Sequence, residues 1–241
     1  MSTISTLVIA PSELILGGQK SGKSRRAELL ARQWLDAAPG RRAVLIATAQ
    51  PWDDEMRLRI ARHQADRAQR VPGMTTVEEP LALAEAILQH SRPDTLVVVD
   101  CLTLWLTNLL MPARDLAAEG SAPCPPPALR APPLPAQNPL PPSLSVSLVA
   151  PGTSSDRIFE SNQPLAQVEP AQVAPLLIVI QSVVGPVVLV GNEIGLGVIP
   201  MGRDVRAFVD ALGRLNQEVA TVCQRVTLMA AGLPLTLKEA P

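Results

Sequence analysis

Short, uninterrupted apolar runs mark the first half of the chain at Leu14–Leu16, Ala43–Ala47 and Leu96–Val99. None alternates with polar residues, so each predicts a strand buried on both faces. Between the runs, apolar residues recur at helical spacing. Ser24–Ala37 places Ala27, Leu30, Ala31 and Trp34 or Leu35 on one side, and Ala38-Pro39-Gly40 ends that helix. Residues 53–70 predict a charged helix with Met56, Ile60 and His63 near one stripe; Glu79–Gln89 predicts another, and Leu102–Leu110 a strongly apolar one. After a long break the pattern resumes near Leu176–Val183. It continues with a strand at Val187–Val190, an amphipathic helix at Arg203–Cys223, a strand at Arg225–Ala230 and a short last strand at Leu235–Leu237. Buried strands alternating with helices predict an α/β fold, a mostly parallel sheet covered by helices on both faces. Ligands of such sheets bind at the carboxyl ends of the strands.

The break is compositional. Residues 112–142 contain eleven prolines, and a serine-rich patch follows at 143–155. Proline lacks a backbone donor and blocks helix interiors, so this stretch predicts no regular core element. It reads as a polyproline-II-like or disordered insertion. The expected organisation is a nucleotide-binding part at 1–111, a Pro/Ser-rich insertion at 112–173, and the remainder of the same α/β domain at 174–241.

With 241 residues the chain is long enough to bury a sizeable core. A net charge of −1 argues against nucleic-acid or membrane-surface partners, and no apolar stretch reaches membrane-spanning length. Aromatic residues are scarce, which also disfavours base-stacking platforms. Cys101, Cys124 and Cys223 are odd in number and lack metal-ligand spacing, which fits a reducing, cytoplasmic setting.

The clearest chemistry lies in LILGGQKSGKS, residues 14–24. Gly17-Gly18-Gln19-Lys20-Ser21-Gly22-Lys23-Ser24 follows a predicted strand and opens a predicted helix, the context a phosphate-binding loop requires. The fold expected is therefore P-loop NTPase-like. Glycines let the backbone wrap an anion, and the helix N-terminus adds partial positive charge. Lys23 can neutralise β- and γ-phosphates, and the Ser24 hydroxyl can ligate Mg²⁺. Asp100 ends the strand LVVVD, where a carboxylate can hold Mg²⁺ or read the nucleotide; the plainer alternative is a cap for the next helix.

Several stretches together resemble one family in the same order: GGQKSGKSRRAE, IATAQPWDDEMRLRIARH, TVEEP, VVVDCLTLWLTNLL, GNEIGLGVIP and GRLNQEVA. The family is the bifunctional adenosylcobinamide kinase/adenosylcobinamide-phosphate guanylyltransferase of cobalamin biosynthesis. The resemblance covers about residues 13–111 and 185–238 and skips the insertion. It implies ATP- or GTP-dependent phosphorylation of adenosylcobinamide. It further implies transfer of GMP from GTP to adenosylcobinamide phosphate through a guanylylated histidine.

The matching histidine is His63. An imidazole, neutral near pH 7, suits such a nucleophile. The resemblance also implies nucleotide contacts at Ala47, Thr48 and Ala49, at Gln64, Ala65, Asp66 and Arg67, and at the carboxylates Glu78 and Asp100. A carboxylate can accept both N1–H and the N2 amine of guanine, so one of these two could carry the base choice. Without the resemblance, Glu78 and Glu79 would read as ordinary charge at a helix start before Pro80. Asn192 and Glu193 end the fourth predicted strand, where either a substrate or phosphate role or a turn-stabilising role fits. The resemblance implies a homo-oligomer, a trimer.

The insertion is a departure from the family, which has a shorter, charged, helix-forming stretch there. It is either a tolerated surface loop, whose closure entropy rises only slowly with length, or a degraded segment that has lost a covering helix. The alternatives to the bifunctional enzyme are accordingly a phosphate-loop small-molecule kinase or NTPase of other specificity, or a catalytically impaired relative.

Overall fold

A computed structural model describes residues 8–51, 54–111 and 170–239. The chain alternates strands and helices: β1 (Ser12–Gly17), α1 (Lys23–Ala37), β2 (Arg42–Ala47), α2 (Asp54–Arg70), β3 (Met74–Glu78), α3 (Leu83–His90), β4 (Thr95–Asp100), α4 (Leu102–Leu110), α5 (Pro170–Ser182), β5 (Val187–Val190), α6 (Arg203–Val222), β6 (Arg225–Ala230) and β7 (Leu233–Glu239). The strands form one sheet in the order β3-β2-β4-β5-β1-β6-β7. All pairings are parallel except β6–β7. The expected α/β fold, mostly parallel and covered on both faces, is therefore present.

Neighbouring residues of the central strands feed two cores, as period-two geometry requires. Leu14, Leu16, Val97, Val99, Val187 and Leu189 pack with Leu106, Leu176 and Leu212 from α4, α5 and α6. Ile15, Leu45, Val98 and Val188 point the other way and pack with Ala27, Leu30 and Ala31 of α1. Continuous apolar strands thus follow from cover on both faces, not from a single buried side.

Three expectations change. β3 was not predicted: as an edge strand its residues are exposed or half-buried, so MTTVE lacks an apolar run. The helix expected from Glu79 begins at Leu83 instead. Glu79 Oε1 accepts from Leu81 N (2.9 Å) and Ala82 N (2.8 Å), so it caps the turn before the helix and is not part of it. α5 begins at Pro170, four residues ahead of the boundary placed at 174, with Pro175 inside it. Its buried residues Val173, Leu176 and Ile180 recur at three and four and fit a packed helix face. Position 53 and residues 112–169, nearly all of the expected insertion, lie outside the described residues.

Among the described residues, no helix is long and apolar enough to cross a membrane.

Candidate active site

The strand register aligns four strand ends in one row, and β1 ends two residues beyond it. Glu78 pairs with Ala47, Ala47 with Asp100, and Asp100 with Val190; β1 beside β5 ends at Gly17. Strands lie about 4.8 Å apart, so β3 with Glu78 stands about 19 Å from β1 across the sheet and β4 with Asp100 about 10 Å, and Gly17 lies two residues further along β1 than the row. Every strand-end residue singled out in the sequence falls on this carboxyl edge.

The loop after β1 has the backbone a phosphate cradle needs. Gly17 has φ +152°, and a Cβ there would approach Met229 O to 2.5 Å and Ser21 Oγ to 2.6 Å. Gly22, the N-cap of α1, is left-handed at φ +102°. Gly18, Gln19 and Lys20 are exposed, whereas Ser21 is buried and its Oγ has no hydrogen-bond partner. A buried hydroxyl left unpaired in a glycine-rich loop is a ready partner for a bound oxyanion. Lys23 Nζ donates to Gly18 O at 2.6 Å, folding the ammonium over the loop. Burial lowers the Lys23 pKa from the ordinary 10.5, and the Asp100 carboxylate opposes the shift. Asp100 is thus electrostatically coupled to the lysine. Ser24 is half-buried in the first turn of α1.

Two neighbouring segments support the loop. Glu193 N donates to Gly17 O (3.0 Å), and Gly232 N donates to Ser21 O (3.0 Å). Asn192 N donates to Thr103 Oγ1 (2.8 Å), while Asn216 Nδ2 donates to Asn192 O (3.0 Å). Asn192 and Glu193 are half-buried, and their backbones join the phosphate loop to α4 and α6.

A second polar knot holds the end of β2. Buried Thr48 accepts from Cys101 N (2.9 Å) and donates to Cys101 O (2.7 Å), while its own N–H donates to Asp100 O (3.2 Å). Asn108 Nδ2 donates to Thr48 O (2.8 Å) and Pro80 O (3.1 Å). These bonds fix the segment containing Ala47, Thr48 and Ala49 to β4 and α4. Burial raises the Cys101 thiol to about 11, so it stays protonated at neutral pH. Thr103, Asn108 and Asn216 were missed in the sequence. The available signal was a buried polar residue inside an otherwise apolar helix stripe, which has to be paired.

His63 is exposed on α2, as are Gln64 and Ala65; Asp66 and Arg67 are half-buried. Gln64 Nε2 reaches Glu78 Oε1 at 3.4 Å, and Arg67 reaches Thr76 Oγ1 at 3.4 Å, so α2 lies along β3. Between them a shallow cavity of about 150 Å³ is lined by Ala49, Pro51, Arg57, Ile60, Ala61, Gln64 and Glu78. Three of the expected nucleotide residues therefore share one pocket, with His63 adjacent in sequence to one of them. Among the described residues, no group of three or more His, Cys, Asp or Glu could hold a metal by itself. Ser24 and Asp100 offer a hydroxyl and a carboxylate, the hard oxygen donors that suit Mg²⁺ when phosphates complete its shell.

Comparison with known proteins gives a consistent result. A model of the cobinamide kinase / cobinamide phosphate guanyltransferase family matches residues 13–237. The bifunctional adenosylcobalamin biosynthesis protein CobP of Pseudomonas aeruginosa is 37% identical over 95% of this chain and 98% of that protein. The bifunctional adenosylcobalamin biosynthesis proteins CobU of Escherichia coli and Salmonella typhimurium are 29% and 28% identical, each over 93% of this chain and 98% of theirs.

Proposed function

The chain belongs to the cobinamide kinase / cobinamide phosphate guanyltransferase family, and on that premise we propose how its residues divide the two reactions. It is a bifunctional enzyme of cobalamin biosynthesis, acting first as a kinase on adenosylcobinamide and then as a guanylyltransferase on the phosphate it has made.

In the kinase step the substrate hydroxyl oxygen attacks the γ-phosphorus of ATP or GTP, the γ–β bridging bond breaks, the nucleoside diphosphate leaves, and the hydroxyl proton is released to water. Gly17–Ser24 wraps the phosphates with backbone N–H groups, and Lys23 leaves Gly18 O to neutralise the charge on the β- and γ-oxygens. The Ser24 hydroxyl and the Asp100 carboxylate would hold Mg²⁺, which would supply charge neutralisation for the phosphates. The coupling of Asp100 to Lys23 supports this placement at the phosphate end.

In the transfer step an imidazole nitrogen of His63 attacks the α-phosphorus of GTP and pyrophosphate leaves. A phosphate oxygen of adenosylcobinamide phosphate then attacks the same phosphorus, releasing His63 and forming adenosyl-GDP-cobinamide. Glu78 is the residue assigned to guanine, accepting from N1–H and the N2 amine, with Gln64 beside it and Ala47, Thr48, Ala49, Ala65, Asp66 and Arg67 around it. Asn192 and Glu193 are assigned a supporting role at the second substrate's end of the site, where Glu193 Oε1 accepts from Gly195 N (2.9 Å) and holds the turn after β5. The observation that supports this division most is the one carboxyl edge of the sheet, with the phosphate loop at one part and the Gln64–Glu78 pocket at another.

The enzyme acts in the cytoplasm as a homo-oligomer, a trimer. The direct test supplies adenosylcobinamide, GTP and Mg²⁺ to the purified chain and follows two products. Adenosylcobinamide phosphate should accumulate first, then adenosyl-GDP-cobinamide with one pyrophosphate each. Phosphate release without any corrinoid product would instead support an NTPase of other specificity.

A further inference from the structure

α2 bears His63, yet it meets the helix that opens the phosphate loop at its far end. Arg70, the last residue of α2, donates Nη1 to Glu28 Oε2 of α1 at 3.0 Å and Nη2 to Asp66 Oδ2 at 3.1 Å. Glu28 is buried, its side chain only 10% exposed, so the pair is partly shielded from water. The contacts of α2 with β3 are weaker: Gln64–Glu78 and Arg67–Thr76 are both exposed and both 3.4 Å.

Helical geometry ties this bond to the nucleophile. His63 and Arg70 are seven residues apart, about two turns, so they lie on one stripe of α2, with Asp66 between them. The stripe that reaches α1 therefore also carries His63. The helices run the same way, because each follows a strand of the same parallel set and returns against it. From the Glu28–Arg70 bond, His63 lies about 10.5 Å toward the start of α2, and Lys23 about 7.5 Å toward the start of α1. The two levels differ by about 3 Å.

We infer that Arg70 is a positioning residue for guanylyl transfer: its bond to Glu28 sets the register of α2 on α1 so that His63 stands level with the phosphate loop. The inference rests on the reading of His63 as the nucleophile. Arg70 touches neither nucleotide nor corrinoid in this role. It governs how often the imidazole is at attack distance from the α-phosphorus, and a misplacement of about 1 Å is enough to cost roughly a hundredfold in rate. With ATP as donor the kinase step uses the phosphate loop and not the guanine contacts of α2, so it is insensitive to the tether.

The test uses the full chain, with Arg70→Ala, Glu28→Gln and Arg70→Lys, and GTP labelled in the α-phosphate. Arg70→Ala and Glu28→Gln should each slow labelling of the protein at least tenfold at saturating GTP. The kinase turnover, measured with ATP as the donor, should stay within about threefold. Arg70→Lys, which keeps one charged contact, should fall between these variants and the wild type. Equal loss of both activities overturns the inference, because it marks a purely structural ion pair. Normal labelling of both variants also overturns it. If the wild type never takes label while its kinase works, the nucleophile reading falls and the tether falls with it.

Discussion

Lys23 Nζ rests on Gly18 O, 2.6 Å away, within its own phosphate loop. A bound triphosphate replaces that carbonyl with charged oxygens, a stronger partner for a partly desolvated ammonium. Lys23→Ala should therefore depress both reactions, by about a hundredfold or more, as removal of a preorganised charge donor does. Steady-state rates of each step measure this. Normal turnover in either step would remove that step from the loop.

The lowered Lys23 pKa has a pH consequence. Burial disfavours the charged form in the folded protein, so between the lowered value and 10.5 the unfolded chain binds more protons than the folded one. Stability from this group accordingly rises as pH rises through that window. Triphosphate affinity runs the opposite way and should fall at a lower pH than an ordinary lysine would give. GTP affinity titrated from neutral pH to about pH 10 checks this, with Lys23→Arg as the control that stays charged. Parallel profiles for the two proteins would rule out Lys23 as the titrating group.

Gln64 Nε2 and Glu78 Oε1 meet at 3.4 Å in an exposed setting, leaving the carboxylate able to turn to a better donor. Glu78→Ala should lower kcat/KM for guanylyl transfer from GTP by about 10- to 100-fold, the usual loss for a charged hydrogen bond of about 1.5–3 kcal/mol. Inosine triphosphate lacks the N2 amine, so it should lose less from the same substitution. Equal loss with both nucleotides would place the base contact elsewhere.

Glu13 anchors a buried charge cluster below the loop. Its side chain is 1% exposed; Arg26 lies at 3.0 Å, Arg225 at 3.6 Å, and Thr227 Oγ1 donates to it at 2.8 Å. Glu13→Ala strands the buried Arg26 guanidinium, while Arg225 keeps its pair with Glu239, and should cost about 3–5 kcal/mol in urea unfolding. Because Arg26 lies on α1, nucleotide affinity should weaken in the same variant. A loss under about 1 kcal/mol would show that water replaces the carboxylate.

Much of this was legible in the sequence because apolar runs such as VVLV can be satisfied only by cover on both faces. The phosphate loop was legible for a similar reason: few arrangements use Gly17, Gly22, Lys23 and Ser24 in that order. β3 was not, since an edge strand needs no continuous apolar run and its Thr75 and Thr76 are both exposed. The start of α3 was misplaced because Glu79 acts through its side chain as a cap, while composition alone makes it look helical. The roles of Thr48, Asn108 and Arg70 depend on partners 42 to 60 residues away, which local pattern does not encode. His63 was singled out by the motif around it, and the structure places it exposed on α2.

The central claim is that one chain holds two separable chemistries, with His63 serving only the second. Incubation with GTP labelled in the α-phosphate, followed by acid and by base treatment of the denatured protein, tests it most directly. The wild type should hold label that acid removes and base spares, as a phosphorus–nitrogen bond on histidine does. His63→Ala should hold none while phosphorylating adenosylcobinamide within about threefold of the wild-type rate. Label retained in a folded His63→Ala protein, or equal loss of both reactions, would contradict the account.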